Sequence, residues 1–285
     1  MNRSRDIYPE YLIAGASKTG TEWLRMCLRK HPQVYIPGGP TIDYFSKFYN
    51  KGQSWYLSHF REANDRDVVL EKSTSYIVYE KSCKRIYNFD PNMKFIFILR
   101  DPICRAYSHY CMHLKAGKVS GKISEEIGRD TRYVREGFYY KHIKRYEKYF
   151  GRDRIFIFLF DNLKNDPVGF WSSVLDAIGV DKEIIPELVH KKVHSRKSLP
   201  VYKNLYQYLV TTNRKLRSKI KLYNSLFTKL QEVGISGFFH DVMPTEEFPP
   251  LKRSDKKRLQ NIYKEDYEKL KKYISKDISS WMTLK

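Results

Sequence analysis

A seven-residue loop near the start of the chain contains residue types that bind phosphate. It reads Gly15-Ala16-Ser17-Lys18-Thr19-Gly20-Thr21 and lies between a short apolar run and a segment with helical spacing. Glycines let a backbone approach an anion, and free N–H groups at a helix start point toward it. The glycine spacing is that of a Walker A loop, but the lysine, Lys18, comes three residues too early. Alone, the loop fits a phosphate site and an incidental strand–turn–helix connection equally well.

A second polar group follows the clearest predicted strand, Lys94–Leu99. Arg100 ends this strand, and Ser108 lies two turns into a helix predicted from Pro102. Ligands of open α/β sheets bind where a strand ends and a helix begins, and a guanidinium and a hydroxyl both donate to phosphate. The structural alternatives are an ion pair of Arg100 with Asp101 and a hydroxyl on a helix surface. Two such groups on one sheet indicate a ligand with two separated phosphates.

Alternating strands and helices predict an α/β fold with a mostly parallel sheet. The predicted strands are Tyr11–Gly15, Gln33–Ile36, Val68–Leu70, Lys94–Leu99 and Arg154–Phe160. The predicted helices are Thr21–Arg29, a helix around Ser82–Tyr87, one from Pro102, Phe138–Phe150 and Pro167–Ile178.

The last third of the chain is strongly basic. Residues 188–231 contain eleven Lys or Arg and no Asp or Glu, with helices predicted at about Val201–Thr212 and Arg214–Glu232. A last helix is predicted from about Ser254, as its N-cap, to Tyr273. We treat 1–285 as a single domain with an α/β core (1–187), a basic helical cap (188–250) and a C-terminal helix (251–285).

The composition favours an anionic partner. The 285 residues include 53 Lys or Arg and 32 Asp or Glu, a net charge of +21. A hydrophobic content of 41 %, with 23 Tyr and 16 Phe, excludes a disordered chain. No apolar run reaches the roughly 18 residues of a membrane span. Nucleic acid, anionic lipid, an anionic glycan and a phosphate-bearing cofactor all fit the charge, as does compositional bias alone.

The cysteines and the missing motifs narrow these classes. Cys27, Cys83, Cys104 and Cys111 form no CxxC pair, which predicts reduced thiols in a cytoplasmic protein. A lumenal domain of a longer membrane protein is the alternative. No HExxH motif and no nucleic-acid-binding motif occur, so neither a metal hydrolase nor a nucleic-acid partner is expected.

Together these residues resemble the sulfotransferases that use 3′-phosphoadenosine 5′-phosphosulfate (PAPS). Lys18-Thr19-Gly20-Thr21 resembles their 5′-phosphosulfate loop, and the run from Ile98 to Tyr110 resembles their 3′-phosphate motif. Glu71-Lys72-Ser73-Thr74-Ser75-Tyr76 resembles a strand end of the glycan sulfotransferases. The resemblance covers most of the chain and is strongest to the heparan-type N- and O-sulfotransferases and their bacterial relatives. It implies a P-loop-like three-layer fold.

The resemblance also implies roles for the matching residues, without a metal. Binding of the 5′-phosphosulfate is implied for Ser17, Lys18, Thr19, Gly20 and Thr21, with Lys18 at the bridging oxygen. Binding of the 3′-phosphate is implied for Arg100 and Ser108, and a place near the acceptor and the sulfuryl group for Lys72. Arg196 and Lys197 match a basic loop that closes on the cofactor, with a merely solvated loop as the alternative.

Two positions depart from the family pattern. Glu22 ends the phosphosulfate loop, where a carboxylate repels the anion unless it turns away along the helix. Thr41 stands in the slot of the glutamate that serves as the general base of the glycan branch. Asp43 is the nearest carboxylate and our predicted base, with capping of a turn as the alternative. His109 and His113 are further alternatives.

We therefore expect a PAPS-dependent sulfotransferase that releases adenosine 3′,5′-bisphosphate (PAP). The expected acceptor is a hydroxyl or amine of a carbohydrate or polysaccharide, and a small metabolite or a lipid is the alternative. A P-loop nucleotide kinase and a non-enzymatic basic protein that binds polyanions are the alternatives from other classes. The basic helices of the cap could bind acceptor, lie on a membrane surface or pack into the core.

Overall fold

The computed structural model describes residues 7–39, 41–63, 68–116, 118–129, 132–190, 198–200 and 245–283. In these ranges a five-stranded parallel sheet has the order β2-β3-β1-β4-β5. Its strands are β1 (Tyr11–Gly15), β2 (Val34–Tyr35), β3 (Val68–Lys72), β4 (Lys94–Leu99) and β5 (Ile155–Leu159). An antiparallel pair, β6 (Ser198–Pro200) and β7 (Thr245–Glu247), stands apart from the sheet.

The helices surround this sheet. They are α1 (Thr21–Leu28), α2 (Gln53–Leu57), α3 (Glu80–Phe89), α4 (Pro102–Lys115), α5 (Ile123–Arg129), α6 (Arg132–Arg135), α7 (Tyr139–Phe150), α8 (Phe160–Asn165), α9 (Pro167–Ile178) and α10 (Arg253–Tyr273). In the part of the chain that is described, none of them combines the length and the apolar character needed to cross a bilayer.

The side chains of β4 show how the two cores are divided. Phe95, Phe97 and Leu99 face one core, which α3, α4, α7 and α10 cover, whereas Ile96 and Ile98 face the other, which α1 and α9 cover. Successive residues of a strand point to opposite faces, so a strand that is buried on both faces is a continuous apolar run. The predicted α/β class with a mostly parallel central sheet is confirmed.

Two helices begin where an aspartate precedes a proline. The Asp101 carboxylate accepts hydrogen bonds from the backbone N–H groups of Ile103 (2.8 Å) and Cys104 (3.0 Å), and Pro102 is the first residue of α4. The Asp166 carboxylate likewise accepts from the N–H of Gly169 (2.9 Å) at the start of α9. Proline is tolerated at the first helical position because an N–H there would have no hydrogen-bond acceptor within the helix. These local signals explain why both helix starts were predictable.

Other predicted boundaries are wrong by one or two residues. β5 ends at Leu159, and Phe160 begins α8 instead of ending the strand. Ser254 is not the N-cap of α10, because the helix begins at Arg253 and Lys252 takes that position without a side-chain hydrogen bond. The helices predicted at 201–212 and 214–232 lie outside the described residues, so the division into core, cap and C-terminal helix stays a prediction.

The segment after α10 returns to the carboxyl ends of the central strands. The Trp281 indole N–H donates to the Asp161 carboxylate (2.7 Å), and the Met282 N–H donates to the Asp101 carboxylate (2.6 Å). Asp101 therefore caps α4 with one oxygen and holds the C-terminal segment with the other. This contact joins the end of the chain to the segment that follows Arg100.

Replacement of Gly20 by alanine tests how tightly the loop before α1 is packed. Gly20 has a φ of 89°, and a Cβ there would lie 2.4 Å from Leu163 Cδ2. We expect Gly20→Ala to lower the free energy of unfolding by about 2–3 kcal/mol, since a left-handed alanine and a crowded core are both unfavourable. Urea unfolding measures this difference.

Gly179→Ala is the matched control. Gly179 also has a left-handed backbone, with a φ of 74°, but no atom lies within 4 Å of its added Cβ. This substitution should cost about 1 kcal/mol, the cost of the backbone conformation alone. Equal losses for the two variants would contradict the predicted crowding at Gly20.

Candidate active site

The loop between β1 and α1 is held in shape by its own residues. The Thr19 side chain is buried and its hydroxyl donates to the Ala16 carbonyl (2.7 Å). The Ala16 N–H donates to the Ile98 carbonyl of β4 (3.0 Å). Lys18 and Gly20 both have left-handed backbones, with φ of 70° and 89°. The loop therefore turns sharply into α1, whose first N–H groups have no carbonyl partner within the helix.

Arg100 lies against this loop, 82 residues later in the chain. Its guanidinium donates to the Lys18 carbonyl (3.2 Å) and lies 4.7 Å from the centre of the Phe160 ring. Tyr139 donates its hydroxyl hydrogen to the Arg100 carbonyl (2.9 Å). The fold thus brings the two predicted phosphate-binding motifs into direct contact. Ser108 is half-buried on α4, in the helix that follows Arg100.

The electrostatics of this contact favour an anion. Burial, reinforced by the charge of Arg100, lowers the pKa of the Lys18 ammonium. An anion bound beside both cations would offset each of these effects, because opposite charges favour the ionised form. The loop and Arg100 therefore make a site that fits a phosphate or sulfate group.

A buried ion pair between Arg105 and Glu136 holds the loop at Ser17, and the sequence contained no signal for it. Glu136 accepts hydrogen bonds from the Ser17 N–H and from the Arg105 guanidinium, the latter at 3.2 Å. Both side chains are buried. Glu136 lies between α6 and α7 and belongs to no motif, so only the fold shows that it holds Ser17. Removal of one member of such a pair leaves the other charge buried and uncompensated.

The two histidines considered as bases lie beside this ion pair on α4. His109 and His113 are four residues apart, with ring centres separated by 4.7 Å. Burial, with the nearby charge of Arg105, lowers the pKa of His109 to about 3, and its Nδ1 lies 3.5 Å from Glu136. His113 Nδ1 is 2.9 Å from the Tyr133 hydroxyl. Both imidazoles are therefore part of the packing behind the loop.

Lys72, at the end of β3, contacts the first turn of α1. Its ammonium is 2.5 Å from Glu22 Oε2, and the other carboxylate oxygen of Glu22 accepts from Arg25. Burial alone would raise the pKa of Glu22, but the hydrogen bonds from Arg25 and Lys72 outweigh it and the pKa is lowered. Glu22, which departs from the family pattern, therefore forms an ion pair with Lys72.

Asp43 is buried and makes contacts expected of a residue that shapes a turn. Its carboxylate accepts from the Thr41 hydroxyl (3.1 Å), the Lys47 ammonium (2.6 Å) and the Ser75 hydroxyl (2.5 Å). Its carbonyl accepts from the N–H groups of the next turn, and its φ is 50°. These contacts favour the turn-capping interpretation of Asp43, whose predicted role as base stays a prediction.

A buried glutamate next to Lys72 holds this turn in place. Glu71 accepts hydrogen bonds from the hydroxyls of Tyr56 (2.8 Å), Tyr76 (2.7 Å) and Ser73. The Ser73 hydroxyl accepts in turn from the Asp43 N–H (2.9 Å). The sequence showed Glu71 only as the acidic neighbour of Lys72, because its burial and its contact with Tyr56 of α2 depend on the fold.

Glu71 and Lys72 also line a narrow cleft next to the Glu22–Lys72 ion pair. Its walls are formed by Arg25, Pro37, Gly39, Thr41, Ile42, Glu71 and Lys72. The cleft therefore brings Lys72 and Thr41, which the sequence placed on the acceptor side, to one location. The predicted contacts of Arg196 and Lys197 lie outside the described residues. Within the described ranges, no group of three or more His, Cys, Asp or Glu could hold a metal ion.

The comparisons with known proteins agree with this architecture. Residues 43–183 match the model of the sulfotransferase family. Human heparan sulfate glucosamine 3-O-sulfotransferase 6 is 30 % identical over 206 residues, which are 69 % of this chain and 59 % of the relative. Mouse bifunctional heparan sulfate N-deacetylase/N-sulfotransferase 4 is 30 % identical over 197 residues, 61 % of this chain and 23 % of that protein.

A solved structure extends the similarity to nearly the whole chain. The sulfotransferase from Alicyclobacillus acidocaldarius has a TM-score of 0.70 at 20 % identity and covers 97 % of this chain and 100 % of its own. This chain belongs to the sulfotransferase family. It spans little more than half the length of the curated 3-O-sulfotransferases that it matches.

The buried carboxyl of Glu71 predicts a specific pH dependence of stability. Burial, opposed by its three hydroxyl donors, raises the pKa of Glu71 from 4.5 to about 7. Between these values the folded protein holds a proton that the unfolded chain has released, so stability falls as pH rises. We expect the titration of Glu71 to lower the free energy of unfolding of the wild type by roughly 3 kcal/mol as the pH rises from 4.5 to 7.

Urea unfolding at a series of pH values, with Glu71→Gln beside the wild type, tests this dependence. The introduced glutamine side chain does not titrate, so the variant should lack this decline. Glu265→Gln is the control, because the exposed Glu265 has its pKa lowered by Lys269 and titrates below the window. Parallel profiles for the wild type and Glu71→Gln would contradict the prediction.

Proposed function

We propose that this chain transfers a sulfuryl group from PAPS to a hydroxyl or amine of a carbohydrate acceptor. The observation that carries the proposal is the contact of Arg100 with the Lys18 loop. It joins the two motifs that resemble the phosphosulfate and 3′-phosphate sites of PAPS-dependent enzymes. A donor with phosphates at both ends of one ribose fits two neighbouring cationic groups better than a triphosphate chain does.

The residues around the loop fit this donor. A side chain at position 20 would collide with Leu163, so the loop keeps a bare backbone at the start of α1. The 5′-phosphosulfate would be held by Ser17, Lys18, Thr19, Gly20 and Thr21. Arg100 and Ser108 would hold the 3′-phosphate, joined by Arg196 and Lys197 if their loop closes on the donor.

The chemistry requires little beyond this placement. The acceptor atom forms a bond to sulfur while the bond between sulfur and the 5′-phosphate oxygen breaks in line, and negative charge builds on that oxygen. Lys18 and the first N–H groups of α1 stabilise this charge, and fixed donors cost no reorganisation when the charge develops. Lys72 holds the opposite, acceptor side of the sulfuryl group.

A carbohydrate acceptor is supported by the relatives named for heparan sulfate and by the net charge of +21. A small metabolite or a lipid is the alternative acceptor. A cytoplasmic location and contact of the basic cap with a membrane surface stay predictions from the sequence. A nucleotide kinase is not favoured, because Thr21 stands where the Walker A lysine would reach the β- and γ-phosphates.

Calorimetric titration with PAP and with ATP tests the donor. The wild type should bind PAP at least tenfold more tightly than ATP. Arg100→Ala and Lys18→Ala should each weaken PAP binding by roughly 10- to 100-fold, the effect of losing one charge-assisted contact.

Arg154→Ala is the matched control for the loss of an arginine. The Arg154 guanidinium donates hydrogen bonds to Asn92 at the amino end of β5, whereas Arg100 lies at the carboxyl end of β4. Removal of Arg154 should therefore leave the PAP affinity unchanged. A wild-type preference for ATP, or equal binding of PAP by all four proteins, would overturn the assignment of the donor site.

A further inference from the structure

Glu22 joins the donor side of the site to the acceptor side. It follows Thr21 at the start of α1, directly after the loop that would hold the phosphosulfate. Its carboxylate reaches across to Lys72 on β3, with 2.5 Å between Oε2 and the ammonium nitrogen. About half of the Glu22 side chain is exposed, whereas Lys72 is 11 % exposed. Glu22 therefore presents an accessible carboxylate at the place where acceptor and sulfuryl group would meet.

The other groups that could take a proton are engaged elsewhere. The Asp43 carboxylate already accepts three hydrogen bonds, one of them from the Lys47 ammonium. Glu71 is fully buried and accepts from three hydroxyls. His109 packs between Arg105 and Glu136. These groups are buried or nearly so, and acceptor binding would have to break a packed network around each of them. Glu22 is also held by two cations, Arg25 and Lys72, but its own side chain is 54 % exposed, so an acceptor can reach it if Lys72 alone is released.

We propose that Glu22 is the general base of the reaction. The acceptor oxygen or nitrogen bonds to sulfur as the bond from sulfur to the 5′-phosphate oxygen breaks. The electron pair of that bond stays on the phosphate of PAP, and the acceptor proton passes to the Glu22 carboxylate. This inference rests on the proposed function, since it assumes that PAPS is the donor.

The ion pair gives this base a way to respond to the donor. The charged groups that face Glu22 among the described residues are Arg25 on its own helix and Lys72 on β3, and both keep it ionised in the free protein. A phosphosulfate bound at Lys18 would compete for the Lys72 ammonium and place negative charge beside Glu22. Both changes raise the basicity of a carboxylate. Glu22 would therefore become an efficient base only when the donor is bound.

Substitution of Glu22 by glutamine separates proton transfer from donor binding. PAP affinity of Glu22→Gln, measured by calorimetry, should stay within threefold of the wild type or increase, because a repulsive charge is removed. Transfer from PAPS is followed as PAP release with three acceptor probes: N-sulfated heparosan, 4-nitrophenol and water. We expect kcat with the heparosan probe to fall 10²- to 10⁴-fold, the usual range for loss of a general base.

Three further readouts distinguish a base from a residue that merely positions Lys72. The loss should be at least tenfold smaller with 4-nitrophenol, because an acidic phenol needs less help in losing its proton. The decline of kcat at acidic pH should disappear in Glu22→Gln, and Glu22→Asp should recover part of the activity. Glu265→Gln, which removes an exposed helical Glu–Lys pair that does not line the cleft, is the matched control and should retain wild-type rates.

Different results would overturn the role of Glu22 and the proposed use of PAPS. Tight PAP binding and transfer by the wild type, with less than a fivefold loss in Glu22→Gln, would overturn the role of Glu22 and leave the proposed function standing. The same conclusion follows if Asp43→Asn abolishes transfer while Glu22→Gln retains it. An equal loss of kcat with N-sulfated heparosan and with 4-nitrophenol would also overturn the role of Glu22 as a base, since that pattern indicates a positioning effect. Failure of the wild type to bind PAP would overturn both proposals.

Discussion

The site depends on the parallel pairing of β1 with β4. Because the two strands run in the same direction, their carboxyl ends meet at one edge of the sheet, and the residues that follow each strand become neighbours. This is why the Arg100 guanidinium reaches the Lys18 carbonyl although 82 residues separate them. The pairing thus builds a site that fits an anion from two segments, each of which has a weak signal alone. Burial and, after it, the charge of Arg100 lower the pKa of Lys18, because two cations brought together without an anion repel each other.

Several buried polar contacts hold that edge in place. Glu136 and Arg105 support the loop at Ser17, Tyr139 holds the Arg100 carbonyl, and Asp101 joins α4 to the C-terminal segment. Each contact links segments that are distant in the sequence. A binding site made of loops needs such support, because loop backbones have few ladder hydrogen bonds of their own.

The side of the site that we propose for the acceptor is organised by carboxylates rather than by cations. Glu71 accepts hydrogen bonds from three hydroxyls, and Asp43 accepts hydrogen bonds that stabilise the turn before α2. Glu22 forms an ion pair with Lys72. In a chain with a net charge of +21, Arg25, Lys47 and Lys72 of this region are therefore each balanced by a carboxylate. Such a balance suits a reaction in which one side stabilises negative charge and the other accepts a proton.

The sequence by itself determined the α/β class, most of the strands and helices, and the positions of the two motifs predicted to bind phosphate. It could do so because strand burial, Asp-Pro helix starts and glycine-rich turns are local properties of a few adjacent residues. The choice among the candidate bases could not be tested in this way. Asp43 was the nearest carboxylate in the sequence, whereas Glu22 seemed only a departure beside an anion.

Only the tertiary structure decided which acidic groups are committed and which are accessible. The pairing of β3 with β1 brings Lys72 to the first turn of α1, and the segment 73–76 brings three more polar side chains to Glu71 and Asp43. Burial and hydrogen bonding of a carboxylate depend on neighbours that are distant in the chain, so no local pattern records them. A carboxylate therefore shapes a turn at Asp43, is buried among hydroxyls at Glu71 and stays half-exposed in an ion pair at Glu22.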